Sequence, residues 1–150
     1  METSADIQNR LRNLFESQKL AVVATQTGGQ PYTSLVAFVA ADDLRHIYFV
    51  TARTTRKFSN LTSDSRVAVL VNSSINQESD FHDAISITVT GNAEEIEGSE
   101  RQPILELYLA KHPYLEDFAR SPSCALIRVA ARSYYMVRNF QNVMEFHIDR

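Results

Sequence analysis

The chain has 150 residues, 44% of them hydrophobic and 22% charged, with a formal net charge of -3. That length predicts one domain spanning 1–150, large enough to hold its own core, and the composition is ordinary for a globular protein. A mildly acidic chain without a lysine or arginine run does not present a nucleic-acid-binding surface, and the single cysteine, Cys124, excludes an internal disulfide.

The opening residues, Met1 to Asp6, are polar and acidic and contain no apolar leader core. The longest apolar run, Leu35 to Ala41, is too short to span a bilayer. Both readings predict a soluble, cytoplasmic protein with no membrane partner. Cys124, followed by Ala-Leu-Ile, reads as a small core residue.

In chain order, Ile7, Leu11, Leu14 and Phe15 form one apolar helical stripe, with Thr3 and Asp6 as a capping box, so a helix is predicted over 4–17. Leu20–Thr25 and Pro31–Val39 flank Gly28-Gly29 and read as a hairpin. Asp42-Asp43 marks a turn. Ile47 to Val50 is a strand that meets Thr54-Thr55, residues suited to cap a helix, with Phe58 and Leu61 at helical spacing beyond. Arg66–Val71 is the next strand, and Asn72–Asp80 a polar loop. Ala84–Thr90 alternates strictly between apolar and polar, and Gly91 behind it marks a bulge or a close backbone approach. Ile104 to Leu109 gives a helix ending before His112-Pro113, with one further turn at Leu115 and Phe118. A long strand follows over 124–138, and the tail from Phe140 to Ile148 shows no usable period. The expected fold is therefore α+β: six strands, mainly antiparallel, closed into a small barrel that removes its edges, with flanking helices.

One stretch carries an electrostatic oddity. From Leu44 to Ser63 there is no acid, against Arg45, Arg53, Arg56 and Lys57, and the last two fall in the first turn of the helix that follows Thr55. Cations are disfavoured at a helix N-terminus, which is already positive. Positive side chains stacked on free backbone N–H groups are what an anion site requires, phosphate above all.

Four pieces in their order resemble the pyridoxamine-phosphate-oxidase-like FMN-binding split-barrel family. They are Leu20–Thr25 with its glycine turn and Pro31-Tyr32; Tyr48-Phe49-Val50-Thr51; Thr55-Arg56-Lys57 with Asn60-Leu61; and Thr88-Val89-Thr90-Gly91-Asn92-Ala93-Glu94. The resemblance spans roughly residues 15–138. It implies a homodimer with FMN in clefts between subunits. It also implies Arg56 and Lys57 on the FMN phosphate, and Thr51 with the adjoining Thr55 backbone on the phosphate and ribityl chain. Ser34-Leu35-Val36 would lie along the isoalloxazine ring.

The departures are informative. Ser34 and Val39 stand where the true oxidases carry an arginine for the FMN phosphate and a lysine for the substrate phosphate; Arg53 would compensate for the former. The end of the chain, Met136 to His147, lacks the family's arginine- and histidine-containing substrate segment. Oxidation of pyridoxamine phosphate is therefore not expected. The leading expectation is an FMN-dependent oxidoreductase passing electrons or hydride between flavin and a small partner such as NADH or NADPH. Beside it stand a flavin-binding electron carrier or sensor, a haem-binding or haem-degrading protein with His147 as axial ligand, and a deazaflavin protein. Elsewhere, His46, His82, His112 and His147 are scattered without metal-ligand spacing. Asp80 to Asp83 reads as a solvated loop, and Tyr134 and Tyr135 as core and interface, one of them a candidate for the flavin edge.

Overall fold

The computed structural model describes residues 2–148. Helix α1 (Ser4–Ser17) starts at Thr3, whose side chain accepts from the Asp6 backbone while Asp6 answers the Thr3 N–H. Strands β1 (Leu20–Thr27) and β2 (Gln30–Ala40) form the hairpin, then come β3 (His46–Ala52), α2 (Arg56–Ser63) and β4 (Arg66–Asn72). A single helical turn, α3 (Asp80–Asp83), sits in the loop before β5 (Ile85–Glu95). Helices α4 (Arg101–Lys111) and α5 (Glu116–Arg120) precede the long β6 (Cys124–Arg138), and β7 (Asn142–His147) ends the fold.

All the strand pairings are antiparallel, in the order β3-β2-β1-β4-β5-β6, and β3 pairs back onto β6 to close the six-stranded barrel. The tail departs from expectation, because it forms a seventh strand on the same β6. There Met144, Phe146 and Ile148 pack on the core while Val143 is 61% exposed. That outward valine breaks the alternation that the other three residues display.

The barrel interior is filled from every strand by side chains such as Val23, Phe38, Phe49, Val69, Val89 and Ile127, and α1 adds Leu11, Leu14 and Phe15. A second core lies between the outside of β3 and β6 and helices α4 and α5; Tyr48, Val50, Leu105, Tyr108, Leu126 and Cys124 belong to it. Lys111 joins the two cores. Its Nζ donates to the Phe15 carbonyl at 2.8 Å and lies 4.0 Å from the Phe38 ring centroid, and burial pushes its ammonium down to about 8. Among the described residues no helix is long and apolar enough to cross a membrane.

Between β2 and β3 the chain turns through Leu44 at φ 63°, buried, with its carbonyl capped by the Tyr134 hydroxyl. Tyr134 is thus a core residue. Gly91 sits at a register shift between β5 and β6, where an added Cβ would lie 2.2 Å from the Ala130 carbonyl oxygen. The neighbour is backbone on two paired strands and has nowhere to go. Gly91→Ala is expected to cost about 3 kcal/mol or more of folding stability, measured as a lowered denaturant midpoint.

Candidate functional site

The candidate site is the corner where β3 ends and α2 begins. Thr55 takes the N-cap position: its Oγ1 accepts from the Phe58 N–H at 3.2 Å and donates to the Ala52 carbonyl at 2.9 Å. Its hydroxyl also lies 3.0 Å from that of Thr51, a residue only 1% exposed at the end of β3. The Lys57 Nζ donates to Thr51 Oγ1 at 2.9 Å. Lys57 is half-buried, and burial pushes its ammonium below the ordinary lysine range.

No ion pair engages Lys57 or Arg56 among the described residues. A buried cation normally finds a carboxylate. Here the ammonium has one neutral hydroxyl, close to the positive first turn of α2, where Thr55 caps the Phe58 N–H. Arg56 points elsewhere, its guanidinium 5.7 Å from the centroid of the Tyr32 ring. It borders a cleft of about 520 Å³ walled by Thr27, Gln30, Tyr32, Thr54 and Ser59.

The hairpin tip is tied down from below. Asn60, 6% exposed, donates to Thr25 Oγ1 at 3.0 Å and accepts from Thr27 Oγ1 at 2.7 Å. These bonds fasten β1 to the underside of α2. In the sequence Asn60 shows only as part of a motif; its role needs the hairpin folded over the helix.

The other residues singled out in the sequence are placed as follows. Arg53 faces away from the corner and is bonded to Glu95 and to the Pro122 carbonyl. Strand alternation splits Ser34-Leu35-Val36. Val36 is 6% exposed in the core, and Leu35 is 64% exposed on the outer face. Ser34 shares the inward parity, and its Oγ is buried with no hydrogen-bond partner among the described residues. Such a group costs about 1–3 kcal/mol if left unmatched. His147 lies on β7 with one ring nitrogen on Ser133 and the other on Glu145. Among the described residues no three His, Cys, Asp or Glu side chains gather as a metal ion requires.

The family model described as pyridoxamine 5'-phosphate oxidase matches residues 7–138. The chain belongs to this family. No curated protein matches it. Solved structures share the fold at low identity. A heme binding protein from Mycobacterium smegmatis superposes with TM-score 0.84 at 16% identity, covering 98% of this chain and 59% of the other, so this chain is much the shorter. General Stress Protein 26 from Bacillus anthracis str. Sterne gives 0.74 at 16% identity, over 95% and 98% of the two chains. A fad-binding protein from Mesorhizobium loti gives 0.65 at 16% identity, over 83% and 88%.

The Asn60 fastening is testable without any ligand. Asn60→Ala would strand the Thr25 and Thr27 hydroxyls and is expected to cost about 1–3 kcal/mol in chemical denaturation.

Proposed function

We propose that the chain binds FMN with its phosphate at the tip of α2 and serves as an FMN-dependent oxidoreductase for a small partner such as NADH or NADPH. The observation that carries this reading is Lys57, a half-buried ammonium with a threonine hydroxyl for company and no carboxylate. A phosphate docked there would restore the charge balance that burial disturbs, and would meet the Arg56 and Lys57 N–H groups at the helix tip. Arg56, Thr51 and Thr55 belong to the same clamp. Arg53, held by Glu95, contributes structure rather than a free cation. The orphan hydroxyl of Ser34 is a polar group suited to the flavin or its ribityl chain. Solved relatives that share the fold include one named as fad-binding and one named as heme binding. A phosphate clamp favours the flavin, and His147, with both ring nitrogens already bonded, presents no free nitrogen to a haem iron.

A bound flavin would supply the redox chemistry itself. The chain's own residues fix the phosphate, place the cofactor against β2 and β3, and lend hydrogen bonds. A non-catalytic electron carrier would use the same clamp. The absorption spectrum of the purified protein, followed on adding NADH or NADPH, separates the readings: bleaching flavin bands support the oxidoreductase, bands indifferent to nicotinamide the carrier, and a Soret band the haem protein.

We further propose a homodimer formed through the outer face of the sheet. Leu35, Val22 and Leu70 lie in one row across β2, β1 and β4, and Leu20 and Leu35 are 52% and 64% exposed there. An apolar row of this kind is suited to cover by a second copy.

Two outcomes check these readings. Lys57→Ala is expected to weaken FMN binding roughly ten-fold or more in a fluorescence titration. Because the lysine is held below its ordinary range, it loses charge early as the pH rises. FMN affinity should therefore fall on the alkaline side, and Lys57→Arg should hold it level. Leu35→Asp should convert the dimer to a monomer in light scattering and weaken FMN binding with it.

A further inference from the structure

We infer that Lys111 is a carbamylation site: its amine takes up carbon dioxide in a small cavity between α1 and the β2–β3 turn, and Arg12 binds the carbamate so formed. The corner at the tip of α2 plays no part in it.

Lys111 ends α4 and reaches between the two cores, where its Nζ donates to the Phe15 carbonyl at 2.8 Å and lies 4.0 Å from the centroid of the Phe38 ring. A carbonyl and a ring carry no net charge, and no carboxylate pairs with Lys111 among the described residues. A cation so placed loses hydration without gaining a counter-charge, and the same burial brings its ammonium down to about 8. Near that pH about half of the side chains are free amine, against fewer than about one in a hundred for a lysine in water. A desolvated lysine is the form in which this side chain acts as a nucleophile.

Lys111 lines a cavity of about 60 Å³ together with Arg12, Phe15, Val39 and Leu44, and the exposed Glu16 and Asp42 bound it. One water molecule needs about 10–15 Å³, so the space admits a molecule of three heavy atoms and excludes a nucleotide. Walls that are largely apolar suit a small, neutral, weakly hydrated guest, and carbon dioxide is one.

The step balances without oxidant or cofactor. The lone pair of the neutral amine attacks the carbon of carbon dioxide, an N–C bond forms, one C=O π pair moves onto oxygen, and a proton leaves the nitrogen for solvent. The product is a carboxylate where the structure has none against the lysine. Its nitrogen keeps one hydrogen for the Phe15 carbonyl. Its oxygens accept from Arg12, which is in no ion pair among the described residues. The Arg12 Nε donates to the Asp42 carbonyl at 2.8 Å and one Nη to the Asn9 side chain at 3.3 Å, which leaves part of the five-donor guanidinium fork unused. Of the other titratable groups nearby, Glu16 and Asp42 are exposed and screened by solvent. His112, bonded to the Phe38 carbonyl at 2.7 Å, is held below the ordinary histidine range by burial.

The test uses the full chain as purified, incubated near pH 8 with isotopically labelled bicarbonate in equilibrium with carbon dioxide. Carbamates are trapped as ethyl esters with triethyloxonium ion and located by peptide mass mapping. Label at Lys111 is expected to exceed that at the exposed Lys19 by about ten-fold or more, as the difference in free amine requires. Arg12→Gln, checked for folding by its thermal midpoint, is expected to weaken carbon dioxide uptake at Lys111 roughly ten-fold, the effect of losing one charge-assisted contact. Lys111 carrying no label, or no more than Lys19, overturns the inference. Full labelling of Lys111 in Arg12→Gln overturns it too, because the cavity is then not what holds the carbamate.

Discussion

Strand β6 is hydrogen-bonded along one edge to β5 and along the other first to β3 and then to β7, and this double pairing is the constraint from which the rest of the architecture follows. It closes the barrel, so β3 can end only where Ala52 meets Cys124. That end point sets where the chain turns into α2. The same closure forces β5 and β6 together tightly enough that only a residue without a side chain fits at position 91, against the Ala130 carbonyl. The corner at Thr51 to Lys57 is thus held by strands that contribute nothing to it chemically.

On that frame the electrostatics of the corner become legible. Many cations of this chain are matched: Arg53 with Glu95, Arg66 with Asp64, Arg120 with Glu106, Arg128 with Glu94 and Glu100. Arg56 and Lys57, like Lys111, are in no ion pair among the described residues, but they alone of these sit in the first turn of a helix. Charge matching is cheap at a surface and easily arranged by selection. A half-buried lysine next to a positive helix terminus, without an acid, is a local frustration of the kind that functional sites retain.

Much of this was readable in the amino-acid order. Helix α1 runs over 4–17 as the capping box and apolar stripe require, and β6 over 124–138, because in both cases the signals are local: a cap, a period, a proline just before. The six-stranded barrel follows from strand count and short turns. What was not readable depends on partners distant in the chain. Arg53 looks like one member of a basic cluster until β3 and β5 are placed on either side of β6, when Glu95, 42 residues on, pairs with it. The tail looks patternless because Val143 adds an outward apolar residue to an otherwise alternating strand. The resemblance lays Ser34-Leu35-Val36 as one stretch along a ring, whereas the pleat of a strand sends its members to opposite faces.

The burial of Cys124 has a consequence of a different kind. Its thiol is 3% exposed, at the seam where β6 meets β3 and under the second core. Thiol chemistry follows access, so a mixed-disulfide partner in the surrounding medium finds no thiol to attack on the folded molecule. For the experimentalist the same fact is a convenience: a cysteine placed on the surface would be the one position that a maleimide dye can reach.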